Sequence, residues 1–384
     1  MSFVSEKSKN LPQSIIREMF AMQGGLEDVV SFALGEPNFA PPKHVVDAVM
    51  ASFQRGETHY TPNAGIPALR EAVAESYQNR ALQYDAEEIL IGAGAISVLC
   101  LACMAILDIG EEVLLPDPGW ANYKGLILQV GAVPVPVKTY EENEFMYDVE
   151  DLRRAITSKT KVILLNSPSN PTGAVANAEN LKQIAELAKE NDLYILTDEI
   201  YHALLWDDEP YCSIAAFPGM KERTVIVDGF SKKYAMTGFR LGYAAAPKEV
   251  IATMTKLLEN VLSSVNEGMQ WGGVAALKGS QEEVEQMMVH YKSRRELMVN
   301  GLNAIEKISC LPPKGAFYAF ANITKTGLSA REFSLRLLRE KHTVVVPGIG
   351  FGEGGEGYIR LSYATDEGTI QEGLKRIEEF ITSL

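Results

Sequence analysis

The stretch "KVILLNSPSNPTGAVANAENLKQIAELAKENDLYILTDEIY", Lys161–Tyr201, decides the fold class. It opens on a short, continuous apolar run and passes through a turn-rich segment. A helix-like pattern follows, with apolar residues three and four apart, and then a second continuous run, "LYILT". Apolar runs of this length without alternation are strands buried on both faces, so the stretch reads as strand, helix, strand in a parallel sheet. The same alternation extends both ways. Upstream, strand "EEVLL" precedes helix "ANYKGLILQV", and "AVPVPV" precedes "DVEDLRRAI"; downstream lie the strands "TVIVDGF" and "LGYAAAP". Two amphipathic segments, "PKHVVDAVMASFQRG" and "IPALREAVAESYQNR", come before all of them.

After Ser280 the texture changes. A long charged helix, "QEEVEQMMVHYKSRRELMVNGLNAIEK", leads into "GAFYAFANI", a helix, "TVVVP", "GYIRLSYA" and a last helix. A chain of 384 residues also exceeds what one ordinary core accommodates. The fold class is therefore α/β: a three-layer αβα large domain with a mostly parallel sheet, plus a smaller α+β domain. The expected division is 1–45 as an N-terminal segment packing with the small domain, 46–280 as the large domain, and 281–384 as the small C-terminal domain. No internal repeat is present.

Composition excludes several classes. Apolar residues make up 46% and charged residues 22%, as in globular proteins. The formal net charge of −14 argues against nucleic acid as a partner. "MSFVSEKSKN" lacks the apolar core of a secretory signal, and the longest apolar run, "ISVLCLACMAIL", is too short to span a membrane. A cytoplasmic location is expected. Cys100 and Cys103 form a C-x-x-C, but inside an apolar helix-like run with no second pair, so both are expected to be buried core thiols. The five histidines are scattered, so no metal site is expected. "GFGEGG" (Gly350–Gly355) matches G-x-G-x-x-G as a string, but it precedes a strand and not a helix.

Ligands of open parallel sheets bind outside the carboxyl ends of the strands. There the sequence delivers, in turn, "PDPGW" with Trp120, "NSPSNPTG" with Asn170, "DEIY" with Asp198 and Tyr201, and "GFSKK" with Ser231, Lys232 and Lys233. Singly these are ordinary: a turn, a helix cap, packing aromatics, a solvated lysine pair. Their shared place at one rim favours a site. A reactive lysine, a carboxylate, phenol and amide donors, an aromatic plate and an arginine together suit pyridoxal 5'-phosphate. The lysine forms a Schiff base with its aldehyde. The acid faces the ring nitrogen. "GAGAIS" (Gly92–Ser97), opening a helix, offers backbone N–H groups to the phosphate.

In the order "LGEPNF", "YTPNAGIPALREAVA", "GAGAISVL", "PDPGW", "NSPSNPTGAV", "DEIY", "GFSKKYAMTGFRLGY", "PKGAFYAF" and "YIRLSYA", the chain resembles the class I/II aminotransferases of fold-type I over essentially its whole length. Its wording is closest to the prokaryotic aromatic and broad-specificity members. The resemblance implies that Lys232 is the Schiff-base residue and Lys233 one of a variable pair that points elsewhere. It implies that Ser231, Arg240 and the backbone of Ala95 and Ile96 bind the phosphate, and that Trp120 stacks on the ring. Asp198 would pair with the ring nitrogen, and Asn170 and Tyr201 with the phenolic oxygen. Arg360 would hold the substrate α-carboxylate, with Gly35 and Asn170 beside it. Tyr60 would reach the phosphate of a neighbouring subunit, making a homodimer with composite sites.

The implied reaction is a ping-pong transfer of an amino group from an L-amino acid to 2-oxoglutarate, amino acid and 2-oxo acid being the small-molecule partners. Ile96 stands where aspartate-preferring relatives often carry a lysine, so an aromatic or neutral donor is expected. An aspartate-preferring aminotransferase, or a lyase or synthase of C–S lyase type on the same scaffold, is the alternative. A regulator module would need a DNA-binding domain, and only about 30 residues precede "SFALGEPNF". A nicotinamide dehydrogenase lacks its glycine fingerprint in context.

Overall fold

The computed structural model describes residues 3–9, 11–12 and 14–384; positions 1, 2, 10 and 13 of the N-terminal segment lie outside them. In chain order the strands are β1 (Val30–Ser31), β2 (Ile89–Gly92), β3 (Glu112–Asp117), β4 (Val133–Lys138), β5 (Thr160–Asn166), β6 (Tyr194–Asp198), β7 (Thr224–Gly229) and β8 (Gly242–Ala245), then β9 (Ser309–Cys310), β10 (Tyr318–Asn322), β11 (Thr343–Val344), β12 (Val346–Pro347) and β13 (Tyr358–Ser362). Seven of them form the large-domain sheet in the order β2-β8-β7-β6-β5-β3-β4. From β4 to β7 every pairing is parallel; β8 alone runs against its two neighbours. The sequence reading passed over β2, whose four residues run straight into "GAGAIS" and look like part of the following helix.

Alternate residues of each strand feed different layers, as the period of two requires. Val162, Leu164, Leu196, Val225 and Val227 pack with the helices Ala95–Ile106 and Lys248–Val261. Ile163, Leu165 and Ile195 pack with the helix Ala178–Glu190, whose N-cap Asn177 accepts from Asn180 N at 2.8 Å. Each fully buried aliphatic side chain stabilises the layers by about 1.5–3 kcal/mol. The edge strand β4 carries Pro134 and Pro136, which lack the N–H another strand would pair with.

The small domain is built on the antiparallel order β12-β13-β10-β9, with Arg360 of β13 opposite Phe320 and Val346. β1 pairs parallel with β11, joining residues 30–31 to 343–344. Cys103 is buried as expected; Cys100, one turn earlier on the same helix, is only half-buried, at the margin of the apolar cluster that encloses Cys103. No helix among the described residues is long and apolar enough to cross a membrane.

One close approach ties this frame to the strand rim. A Cβ on Gly242 of β8 would stand 2.5 Å from Ala95 N and 2.6 Å from Gly94 C, so only glycine lets the start of the helix Ala95–Ile106 settle there. Nothing lies within 4 Å of such an atom on Gly238. Gly242→Ala is expected to cost about 1–3 kcal/mol and to lower the thermal midpoint, while Gly238→Ala leaves it within about a degree. Equal midpoints for the two variants would contradict this packing.

Candidate active site

A cavity of about 360 Å³ opens at the carboxyl ends of β5, β6 and β7. Of the residues singled out by sequence, Gly35, Ala95, Ile96, Trp120 and Asn170 line it. So do Asp198, Tyr201, Ser231, Lys232, Arg240 and Arg360. Tyr60 does not; it is 87% exposed on the surface. Lys233 is absent from the lining, and its ammonium lies 4.9 Å from the centre of the Tyr234 ring.

Lys232 follows β7 by three residues and donates from Nζ to Gly35 O at 2.6 Å. Burial lowers its ammonium from the ordinary lysine range to about 8; Glu36 and Asp198 oppose the fall, and Arg360 and Arg240 add to it. Asp198 ends β6 with its carboxylate buried, accepting Tyr123 Oη at 2.8 Å and Ile200 N at 3.2 Å. Burial raises its carboxyl to about 6, against those two hydrogen bonds. The register sets Asn166 of β5 opposite Asp198, and Asn166 Nδ2 donates to Asp198 O at 3.0 Å. Tyr201 Oη shares a hydrogen bond with Tyr318 Oη at 2.7 Å. A Cβ on Gly35 would stand 1.9 Å from that same Tyr318 oxygen, which explains the glycine.

Arg360 is 1% exposed in a central strand. Its guanidinium donates to Asn170 Oδ1 at 3.1 Å and to Ala33 O, while Nε has no partner. The rings of Tyr318 and Phe351 lie 4.5 and 5.0 Å from its central carbon. Burial lowers its pKa, which here means a costly cation held ready for an anion.

These groups fit pyridoxal phosphate on their own chemistry. Arg240 closes on the helix start so tightly that a Cβ at Gly94 would meet Arg240 Nη2 at 2.5 Å, and this pairing of a cation with a helix N-terminus suits a phosphate. Asp198 accepts from Tyr123 Oη and Ile200 N and, among the described residues, forms no ion pair, which leaves its charge for a ring cation. Trp120 lines the cavity edge-on to Tyr123, with ring centres 5.2 Å apart.

The sequence of residues 27–377 matches the family model described as aminotransferase class I and II. The chain belongs to that family. It is 43% identical to the putative aminotransferase YugH of Bacillus subtilis (strain 168), over 99% of this chain and 98% of that one. It is 41% identical to an aspartate aminotransferase of Pyrococcus abyssi, over 98% of each. Among solved structures, the aromatic aminotransferase from Pyrococcus horikoshii OT3 superposes with a TM-score of 0.91 at 39% identity, covering 96% of this chain and 99% of that one. The protein is thus a pyridoxal-phosphate-dependent aminotransferase acting on small amino and oxo acids.

Several lining residues of this aminotransferase escaped the sequence reading: Glu36, Tyr123, Asn166, Thr237 and Tyr318. Thr237 Oγ1 donates to Glu36, tying the segment after β1 to the loop that carries Lys232. Asn166 stands in the quoted "NSPSNPTG" and Tyr318 in "GAFYAF", where the strand-end rule could have reached the first but not the second.

The lowered lysine gives a direct test. A neutral amine reacts and an ammonium does not, so a pKa near 8 leaves roughly a tenth of Lys232 reactive at pH 7, against less than about one part in a thousand for an ordinary lysine. In the cofactor-free chain, acylation of Lys232 read by peptide mass spectrometry should rise with pH about a midpoint near 8 and level off about one to two pH units higher. A midpoint above 10 would contradict the buried setting.

Proposed function

We propose that this aminotransferase moves the amino group of an aromatic or neutral L-amino acid to 2-oxoglutarate by a ping-pong mechanism through Lys232. The observation that carries this reading is one lysine amine of lowered pKa in a cavity that also holds Asp198 and Arg360. When bound, pyridoxal phosphate supplies an aldehyde that bonds amines and a ring that accepts electrons from the substrate Cα.

The chain's own residues supply the rest. Arg360 holds the α-carboxylate through its paired guanidinium nitrogens, with Gly35 and Asn170 beside it. Its guanidinium also donates to Ala33 O and Asn170 Oδ1, which fix its orientation. Lys232 Nζ, largely neutral above its lowered pKa, would take the proton from the substrate Cα and deliver it to the cofactor carbon that receives the amino group. Asp198 would keep a positive charge on the ring nitrogen, Trp120 would cover the ring, and Tyr201 and Asn170 would hydrogen-bond its phenolic oxygen. Ser231, Arg240 and the N–H groups of Ala95 and Ile96 would hold the phosphate.

The donor preference rests on charge. The cavity's cations are Lys232, Arg240 and Arg360, each already assigned, and the remaining side chains near the mouth include Leu34 and Ile96. Among the described residues that line the cavity, no further cation is left for a distal carboxylate. The relatives include both aspartate and aromatic aminotransferases, so rates must decide.

We also read the active unit as a cytoplasmic homodimer. Val46, Met50 and Phe53 on the helix Lys43–Gln54 are exposed, as are Val261 and Leu262. Tyr60 adjoins the latter pair, since Thr61 bonds Ser264 and Val265. That apolar surface suits a second copy, whose phosphate Tyr60 would reach. The domain division at 45 and 280 is part of the same reading, supported by the confinement of the four-stranded sheet to residues 309–362.

Initial rates across an amino acid panel with 2-oxoglutarate test the proposal. Phenylalanine, tyrosine or a neutral aliphatic donor should lead; aspartate ahead by more than about tenfold would contradict it. Lys232→Ala should lose about 100-fold or more in rate, and Lys233→Ala at saturating cofactor should keep most of it.

A further inference from the structure

A second group of charges lies behind the strand rim, on the side away from the cavity. Asp198 faces the cavity, whereas Glu199, the next residue, lines a separate buried crevice with Thr197. Glu199 accepts hydrogen bonds from Arg80, from Ser213 Oγ at 2.6 Å and from Thr197 Oγ1 at 3.3 Å. Nη1 of Arg80 reaches Asp228 Oδ2 at 3.3 Å. Asp228 lies within β7, four residues before Lys232, and also pairs with His202 Nδ1 at 2.8 Å and Gly229 N at 2.7 Å. Glu199 is 1% exposed and Asp228 is fully buried. The guanidinium of Arg80 lies 5.0 Å and 5.3 Å from the ring centres of Tyr77 and Tyr211.

Two buried carboxylates on one arginine are a poor way to gain stability, because apolar groups of the same volume pack there at no desolvation cost. Their placement suggests another use. Arg80 spans the residue after β6 and a residue of β7, the two strands that deliver Asp198 and Lys232. We infer that Arg80 is a positioning residue for the transfer: through Glu199 and Asp228 it fixes those two strand ends and neutralises charge that would otherwise act on Asp198. The negative charge of Asp228 opposes ionisation of Asp198. Lys233 is the second cation under the influence of Asp228, so the neighbour of the reactive lysine belongs to this balance. The inference rests on the reading of Asp198 as the partner of the ring nitrogen.

The test uses the full-length protein, with pyridoxal phosphate as the probe. In Arg80→Met, the dissociation constant of pyridoxal phosphate for the cofactor-free chain should rise about tenfold or more, and kcat per loaded site should fall about as far. The KM for the amino donor should change less than about threefold. Adding Asp228→Asn removes, of the two carboxylates Arg80 holds, the one whose charge acts on Asp198, and should restore the dissociation constant to within about threefold. A lower thermal midpoint with unchanged kcat per loaded site and unchanged cofactor affinity would overturn the inference, as would a loss that Asp228→Asn does not relieve. If Arg80→Met does not fold, Lys233→Met carries the test from a partly exposed position. The dissociation constant should then rise about twofold or more, relieved by Asp228→Asn; an unchanged constant overturns the inference. Asp198→Asn, measured alongside, separates the two levels. Unchanged cofactor affinity there overturns the reading of Asp198 and this inference with it. A loss there with unchanged affinity in Arg80→Met overturns this inference alone.

Discussion

The site depends on the register of three adjacent parallel strands. Asn166 of β5 stands opposite Asp198 of β6, and Asp198 opposite Val227 of β7. A slip of one residue would turn Asp198 to the back of the sheet and Glu199 to the cavity. Burial alone opposes such a slip only weakly, because both faces of these strands are apolar. Polar groups at the strand ends therefore carry much of the specification. Asn166 bonds across to Asp198 O and, through Oδ1, receives Asn170 N at 2.9 Å. One asparagine thus sets both the level of the acid and the course of the loop that holds Asn170.

Charge is the second constraint. Three cations, Lys232, Arg240 and Arg360, share one cavity with the buried Asp198 and with Glu36 at its mouth. Burial is the main reason the pKa of Lys232 is lowered, and the neighbouring Arg360 and Arg240 add to the fall. The arrangement makes sense for ligands that bring two anionic groups, a phosphate and a carboxylate. Backbone oxygens partner two of these cations: Ala33 O accepts from Arg360 and Gly35 O from Lys232. Both oxygens belong to the short segment after β1, so that segment is in contact with each group the reaction must release or engage.

Much of this was legible in the sequence, for reasons that can be named. Unbroken apolar runs marked the strands, and the rule that parallel sheets bind ligands at their carboxyl ends gathered Trp120, Asn170, Asp198, Tyr201, Ser231 and Lys232 at one rim. The ordered motifs added Ala95, Ile96, Arg240, Gly35 and Arg360, all of which line the cavity. Tyr318 stayed hidden because a tyrosine in "GAFYAF" looks like any strand aromatic; only its approach to Gly35 and Tyr201 gives it away. Arg80 closes an amphipathic segment, where an arginine ordinarily meets solvent, and its carboxylate partners lie 119 and 148 residues further on. No periodicity encodes contacts at that range. β2 was missed because four residues are too few to show a period.

The central claim is that Lys232, and not its neighbour Lys233, bonds the cofactor. Borohydride reduction of the yellow, cofactor-loaded protein, followed by peptide mapping, tests it most directly. The account predicts loss of the visible band and a single pyridoxyl-bearing peptide modified at Lys232. A reduced cofactor on Lys233, or a colourless chain that pyridoxal phosphate cannot reconstitute, would contradict it.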